Sequence, residues 1–188
     1  MKTFALISGS LRKESFNRKL LLFLQETYKE EIKMEFVEIQ DFPFFNEDIE
    51  ENAPVSVKKA RQQVQHADAV IIATPEYNHS ISGSLKNALD WMSRNEKVLL
   101  KKPVLIMGCS SGPVGTSRAQ NHLRLILNSP GHQALTLPGN EILIGLAPSK
   151  FDIDGKLIDE KTIDFIDGVI RKFVVWINAT KQWQEEGK

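Results

Sequence analysis

Residues 3–17 read TFALISGSLRKESFN and carry the local signals that decide the fold. The apolar run Thr3–Ile7 predicts a buried strand, and the leucines that follow Ser15 recur at helical spacing. A helix that begins just beyond a strand end offers unpaired backbone N–H groups and the positive end of its dipole. With the guanidinium of Arg12 added, this junction is suited to binding a phosphate.

A simpler interpretation of Ser10, Arg12, Ser15 and Asn17 is that Ser15 caps the helix and its polar neighbours are solvated. We favour the phosphate, because ligands of open α/β sheets bind beyond the carboxyl ends of the strands. Gly9 lacks the further glycines of a dinucleotide-binding loop, so a terminal monophosphate is expected rather than a pyrophosphate.

Short apolar runs alternate with longer amphipathic stretches along the chain, which is typical of a parallel sheet covered by helices on both faces. Strands are expected at 3–8, 34–39, 69–73, 103–108 and either 134–137 or 141–144. Helices are expected after Ser15, from Pro54, at 82–94, at 117–128 and along the apolar stripe 163–177. This pattern predicts a flavodoxin-like α/β three-layer sandwich with a five-stranded parallel sheet in the order 2-1-3-4-5.

The predicted strand order brings the loops after strands 1, 3 and 4 to one sheet edge. Residues 74–80 (TPEYNHS) follow strand 3, and residues 109–117 (CSSGPVGTS) follow strand 4. In residues 75–78, backbone N–H and C=O groups of a stiff turn would address a heteroaromatic ring, with Tyr77 or His79 packed nearby. The alternative is a plain turn in which Tyr77 is a core or interface aromatic.

Composition limits the class of protein. The 188 residues fit a single domain spanning 1–188, and 24 basic and 24 acidic residues give zero formal charge, so neither a nucleic-acid nor a membrane surface is indicated. One cysteine excludes an internal disulfide, and the four histidines show no metal-ligand spacing. The N-terminal apolar run is too short for a signal peptide, and we expect a cytoplasmic protein without a metal.

No catalytic side chain can be assigned from the sequence. Cys109 is expected to be a small buried thiol at a strand end, since Arg118 is too distant for a phosphatase-type loop. Glu76 and Asp90 are expected to be separate surface carboxylates, and Trp91 to serve helix packing or a subunit contact.

Several blocks of the sequence resemble the NADPH-dependent FMN reductase family of flavodoxin-like proteins, which includes azoreductases, quinone reductases and chromate reductases. The blocks are 9–17 (GSLRKESFN), 42–48 (FPFFNED), 75–91 (PEYNHSISGSLKNALDW), 102–104 (KPV), 110–112 (SSG) and 118–124 (RAQNHLR). They follow in family order between Thr3 and Asn128, and Pro113 and Thr116 interrupt a stretch that is often glycine-rich in the family.

The resemblance implies a bound FMN, with NADPH or NADH as co-substrate. The matching positions that hold the FMN phosphate are Ser10, Arg12, Ser15 and Asn17, and Phe16 is a further cofactor-binding position. Those lining the isoalloxazine ring are Pro75, Glu76, Tyr77 and Asn78, and Ser110, Ser111 and Gly112 would border the ribityl chain and ring. The implied activity is hydride transfer from NAD(P)H to FMN and then to a quinone, free flavin, azo compound or metal oxyanion, with no catalytic side chain.

Family resemblance also implies a homodimer or homotetramer, for which residues 42–48 and 85–91 are the candidate contacts. Two other functions stay open at this stage. A flavodoxin-type electron carrier would not react directly with NAD(P)H, although such carriers are typically acidic and this chain is neutral. A flavin-free module similar to response-regulator receivers would need an acidic cluster after strand 1, where Ser8-Gly9-Ser10 supplies none.

Overall fold

A parallel β-sheet forms the centre of the molecule in the computed structural model, which describes residues 1–186. Its strands are β1 (Lys2–Ser8), β2 (Ile32–Phe36), β3 (Ala69–Ala73), β4 (Pro103–Cys109), β5 (Leu135–Thr136) and β6 (Ile142–Ile144). The α-helices are α1 (Phe16–Thr27), α2 (Val55–His66), α3 (Gly83–Met92), α4 (Ser117–Leu127) and α5 (Glu160–Glu186). The order β2-β1-β3-β4-β5, with β6 also on β4, confirms the predicted flavodoxin-like arrangement.

Alternating side chains of the central strands β1, β3 and β4 face two separate apolar cores. Phe4 and Leu6 of β1 pack with α1 and α5, whereas Ala5 and Ile7 pack with α2, α3 and α4. All five residues of β3 are buried, as expected for a central strand covered on both faces. The sheet is therefore the middle layer of a three-layer sandwich.

The fifth strand position is shared by two short strands, so both alternatives from the sequence are present. β5 pairs with the start of β4 through Leu135 and Pro103, and β6 pairs with its end through Ile144 and Cys109. Between them lie Pro138, which has no backbone N–H, and Gly139, whose φ of 66° is outside the strand region. These residues interrupt the strand, and the sheet has six strands in five positions.

The second strand begins and ends earlier than the predicted range 34–39. Ile32 already pairs with Lys2, and the strand ends at Phe36. Val37 and Ile39 are nevertheless buried, because they pack against the core that contains α2. The apolar pattern of the sequence therefore continues beyond Phe36, the last residue of the strand, because Val37 and Ile39 are buried there.

The predicted helix starts are close to the observed ones. The Ser15 hydroxyl accepts from the Arg18 N–H at 3.3 Å, and Ser82 caps α3 through the Leu85 N–H at 3.1 Å. Trp91 is fully buried, which supports its packing role. Across residues 1–186, no helix combines the length and apolar character needed to cross a bilayer.

His132 makes the stability of the fold sensitive to mild acid. Its side chain is 2% exposed and Nδ1 has no hydrogen-bond partner within residues 1–186, and burial lowers its pKa from 6.5 to about 4. Between these values the unfolded chain binds a proton that the folded chain does not, so stability present above pH 6.5 is lost as the pH falls. We expect a loss of about 1–2 kcal/mol between pH 7 and pH 5, measured by urea unfolding.

The variant His132→Leu should flatten this pH dependence, whatever its stability at pH 7. His66→Gln, at an exposed position on α2, is the matched control and should keep the slope of the native chain. If the stability of His132→Leu fell with pH as steeply as that of the native chain, His132 would not be the source of the pH dependence.

Candidate functional site

The loops that follow β1, β3 and β4 meet at one edge of the sheet and enclose a cleft of about 350 Å³. We call it the ligand cleft. It is lined by Ser10, Arg12, Ser15, Phe16, Asn17, Pro75, Glu76, Tyr77, Cys109, Ser110 and Ser111. Of the residues that the sequence assigns to the phosphate, the ring and the ribityl chain, all except Asn78 and Gly112 lie on this lining. The structure therefore brings together three loops that are up to a hundred positions apart in the sequence.

One end of the cleft is a cluster of hydrogen-bond donors at the start of α1. The backbone N–H groups of Phe16 and Asn17 have no acceptor within residues 1–186, as expected for the first helical turn. The Ser10 and Ser15 side chains are buried beside them, and Arg12 is exposed and forms no ion pair in the described part of the chain. These groups suit an anion that enters from solvent.

The Asn17 side chain connects the loop after β1 with the end of β4. Its Nδ2 donates to the Cys109 carbonyl at 3.1 Å, and its Oδ1 accepts from the Cys109 N–H at 2.9 Å. Asn17 is 3% exposed, so both hydrogen bonds are shielded from water. This amide thus holds the two sides of the cleft together in addition to lining it.

Cys109 also lines the cleft, although the sequence analysis assigns it no contact with a ligand. The prediction of a buried strand-end thiol is confirmed by an exposure of 2%. Burial raises the pKa of the thiol, so it stays protonated at neutral pH and is not a nucleophile.

The loop after β3 is a tight hairpin. Tyr77 and Ser80 exchange two backbone hydrogen bonds of 2.9 and 3.0 Å, and the two residues between them, Asn78 and His79, have φ angles of 51° and 64°. Positive φ at both central positions defines a type I′ turn, and Asn and His tolerate that region better than most residues. The Tyr77 side chain is half exposed at the mouth of the cleft.

Glu76 fastens this hairpin to the first turn of α4. Its carboxylate accepts from the N–H groups of Arg118 and Ala119 at 3.0 and 3.2 Å and from the Arg118 guanidinium at 2.9 Å. Partial burial alone would raise the pKa of Glu76, but these hydrogen bonds outweigh it and the pKa lies below its ordinary value. The prediction of a solvated carboxylate is therefore wrong, because Glu76 serves as the missing side-chain cap of α4.

Asp90 belongs to a different contact, as expected. It pairs with Lys86 one turn earlier on α3 at 2.6 Å. Glu76 and Asp90 thus have separate cation partners and form no acid–base pair.

The loop after β4 is held by the chain that follows β6. Ser110 donates its N–H to the Ile144 carbonyl and accepts from the Ala147 N–H, at 2.9 and 3.0 Å. Gly112 accepts from the Leu146 N–H at 2.9 Å and turns away from the cleft lining. A Cβ on Gly145 would lie 2.1 Å from the Pro113 carbonyl oxygen, so only glycine allows this close approach.

Within residues 1–186, no three His, Cys, Asp or Glu side chains are grouped to hold a metal ion. The groups in the cleft are instead backbone amides, hydroxyls, one guanidinium, one side-chain amide, one carboxylate and the aromatic rings of Phe16 and Tyr77. Such a lining can bind and orient a phosphorylated planar molecule.

Known proteins are similar to this chain in sequence and in fold. The family model of NADPH-dependent FMN reductases matches residues 1–149. The NADH:(hydroxy)cinnamate reductase subunit CrdA of Vibrio ruber is 42% identical over 170 residues, which cover 90% of this chain and 84% of that protein. A quinone reductase of Pseudomonas putida is 38% identical, with 94% of this chain and 95% of that protein covered.

A solved structure supports the same assignment. FerB, a flavoenzyme NAD(P)H:(acceptor) oxidoreductase from Paracoccus denitrificans, superposes with a TM-score of 0.86 at 35% identity, covering 96% of this chain and 99% of that one. The family match spans most of the chain and includes all three loops of the ligand cleft. The chain belongs to the NADPH-dependent FMN reductase family.

Proposed function

We propose that the ligand cleft binds FMN and that the protein is an NAD(P)H-dependent reductase of quinones and related small acceptors. The protein acts as a single FMN-binding domain over 1–188. FMN supplies the hydride chemistry when bound. The chain's own residues bind the phosphate, position the ring and leave one face of the cleft open to the two substrates.

The phosphate end of FMN fits the start of α1. The free N–H groups of Phe16 and Asn17, the Ser10 and Ser15 hydroxyls and the unpaired Arg12 guanidinium, all within residues 1–186, are the donors that a phosphate dianion requires. The cleft contains a single carboxylate among the described residues, Glu76, and its oxygens already accept three hydrogen bonds from α4. The donor set is therefore compatible with this anion.

The ring end of FMN fits the two loops opposite. The backbone N–H groups of Glu76 and Ser111, two residues that line the cleft, have no acceptor within residues 1–186. Donors held on rigid loops stabilise the negative charge that a flavin gains on reduction, because they need not reorganise. The Tyr77 hairpin and the Ser110 loop are each fastened to a neighbouring element, which supplies that rigidity.

The open cleft also explains a broad choice of acceptor. An acceptor that approaches a planar surface is selected by access and reduction potential more than by directed hydrogen bonds. The relative in Pseudomonas putida is named a quinone reductase, and the same substrate class is the first choice for this chain.

The proposal is tested by steady-state kinetics with NADH or NADPH and 1,4-benzoquinone. We expect oxidation of the nucleotide by the FMN-loaded protein alone and parallel lines in double-reciprocal plots, because both substrates use the same face in turn. A flavodoxin-type carrier would instead retain FMN and oxidise no nucleotide until a partner reductase is added. That result would contradict the proposed activity.

We propose in addition that the protein is a cytoplasmic homodimer or homotetramer. The support for an oligomer comes from residues 42–48, where the Phe44 side chain is 89% exposed. The adjacent Pro43 is anchored to α3, because the Asn87 and Trp91 side chains both donate to its carbonyl at 2.9 Å. Contact with a second subunit would remove the apolar surface of Phe44 from water. Phe42 and Phe45 are partly buried against the cluster of Ala53, Val57 and Trp91 within the protomer, so they are less available for that contact.

A further inference from the structure

A second groove adjoins the ligand cleft on the side of β2. It has a volume of about 490 Å³ and lies between the loop after β1 and the chain that leaves β2. We call it the side groove, lined by Ser8, Ser10, Leu11, Arg12, Lys13, Arg18, Val37, Glu38, Ile39 and Gln40. Ser10 and Arg12 line both spaces, so the side groove is continuous with the phosphate end of the cleft.

The side groove carries three cations and one carboxylate. Arg12 and Lys13 have no ion pair within residues 1–186. Arg18 is held by both oxygens of Glu38, at 3.2 and 2.8 Å, and its guanidinium lies 4.5 Å from the centre of the Phe36 ring. Glu38 therefore pairs with Arg18, the cation of the groove that an aromatic ring also holds in position.

We propose that the side groove receives the adenosine end of the dinucleotide co-substrate and that Glu38 sets the preference for NADH over NADPH. This inference rests on the proposed function, because it assumes that FMN fills the ligand cleft. With that cleft filled, a second anionic nucleotide needs a surface of its own. With Arg12 engaged by the FMN phosphate, the side groove still carries two cations, Lys13 and Arg18, against one carboxylate, Glu38.

The two dinucleotides differ at the adenosine ribose, where NADPH carries a 2′-phosphate and NADH a hydroxyl. A carboxylate accepts hydrogen bonds from ribose hydroxyls but repels a phosphate. Glu38 therefore favours NADH in two ways: it opposes the extra phosphate, and it keeps the Arg18 guanidinium from binding it. Removing its charge should release Arg18, which the Phe36 ring still holds in place.

The test is Glu38→Gln, compared with the native chain for both dinucleotides. We expect the KM for NADPH to fall about tenfold and the KM for NADH to stay the same or rise by up to about threefold. The kcat values should not change, because Glu38 acts on the adenosine end and not on the transferred hydride. The matched control is Glu35→Gln on β2, which removes the same charge outside the groove and pairs only with Lys33 among residues 1–186.

A binding measurement separates this inference from the proposed function. Calorimetric titration of the FMN-loaded proteins with adenosine 2′,5′-bisphosphate should show about tenfold tighter binding to Glu38→Gln than to the native chain or Glu35→Gln. Titration with 5′-AMP should show no such gain. Equal affinities for the bisphosphate in all three proteins, with FMN bound in each, would overturn the inference and leave the proposed function intact. A native chain that retains no FMN would overturn both.

Discussion

Replacing Asn17 with alanine is expected to lower the free energy of unfolding by about 2–4 kcal/mol. The native amide satisfies both the N–H and the carbonyl of Cys109 in a buried setting, so the variant leaves two backbone groups without partners. Each buried unsatisfied group costs about 1–3 kcal/mol. Urea unfolding of the FMN-free protein at pH 7 measures the effect.

The same change is expected to weaken FMN binding, because Asn17 holds the loop after β1 against the end of β4. Asn128→Ala is the matched control, since Asn128 is an exposed residue that follows α4. It should change stability by less than about 0.5 kcal/mol and leave FMN affinity unaltered. If Asn17→Ala unfolded at the same urea concentration as the control, the link between the two loops would not be a significant source of stability.

Replacing Arg12 with alanine is expected to weaken FMN binding by about 1.5–3 kcal/mol, the contribution of a charge-assisted hydrogen bond. Arg12 is exposed and has no carboxylate partner within residues 1–186, so its charge is available to a phosphate. Its aromatic contact is the Phe16 ring at 5.8 Å, so the variant should unfold at nearly the same urea concentration as the native chain. Fluorescence titration with FMN measures the loss of affinity.

A comparison with riboflavin shows whether the lost interaction is made by the phosphate. Riboflavin lacks the phosphate, and its affinity should be the same for Arg12→Ala and the native chain. Lys29→Ala, which removes an exposed cation beyond the end of α1, should bind FMN as the native chain does. Unchanged FMN affinity in Arg12→Ala would mean that this guanidinium points away from the ligand.

The central strands are predictable from the sequence because they are buried on both faces. In β3, five consecutive apolar residues give a run whose ends coincide with the pairing. In β2 the apolar pattern continues beyond Phe36 into Val37 and Ile39, which are buried against the core that contains α2. Val37 adds one backbone hydrogen bond to Leu6 of β1 at 2.9 Å, but neither residue belongs to the strand, so its end cannot be located from hydrophobicity. An apolar pattern indicates which residues are buried, but it does not show directly which of them pair with a neighbouring strand.

The residues that line the ligand cleft can be predicted from the sequence, but the hydrogen bonds that join its loops cannot. Strand order places the three loops together, and the loop residues themselves are polar or small. The Asn17–Cys109 and Glu76–α4 contacts join residues 92 and about 42 positions apart, and both depend on exact side-chain direction. Local sequence contains no signal for such pairs, so it predicts Glu76 in solvent, whereas the structure shows Glu76 capping a helix.

The central claim is that the loops after β1, β3 and β4 form one site for one FMN molecule. The most direct test is the visible absorbance spectrum of the purified protein after incubation with FMN and removal of the unbound excess. We expect one FMN per chain and, after anaerobic addition of NADH, complete bleaching of the absorbance band of the oxidised flavin. A protein that retains no FMN and shows no affinity for it in a titration would contradict the account.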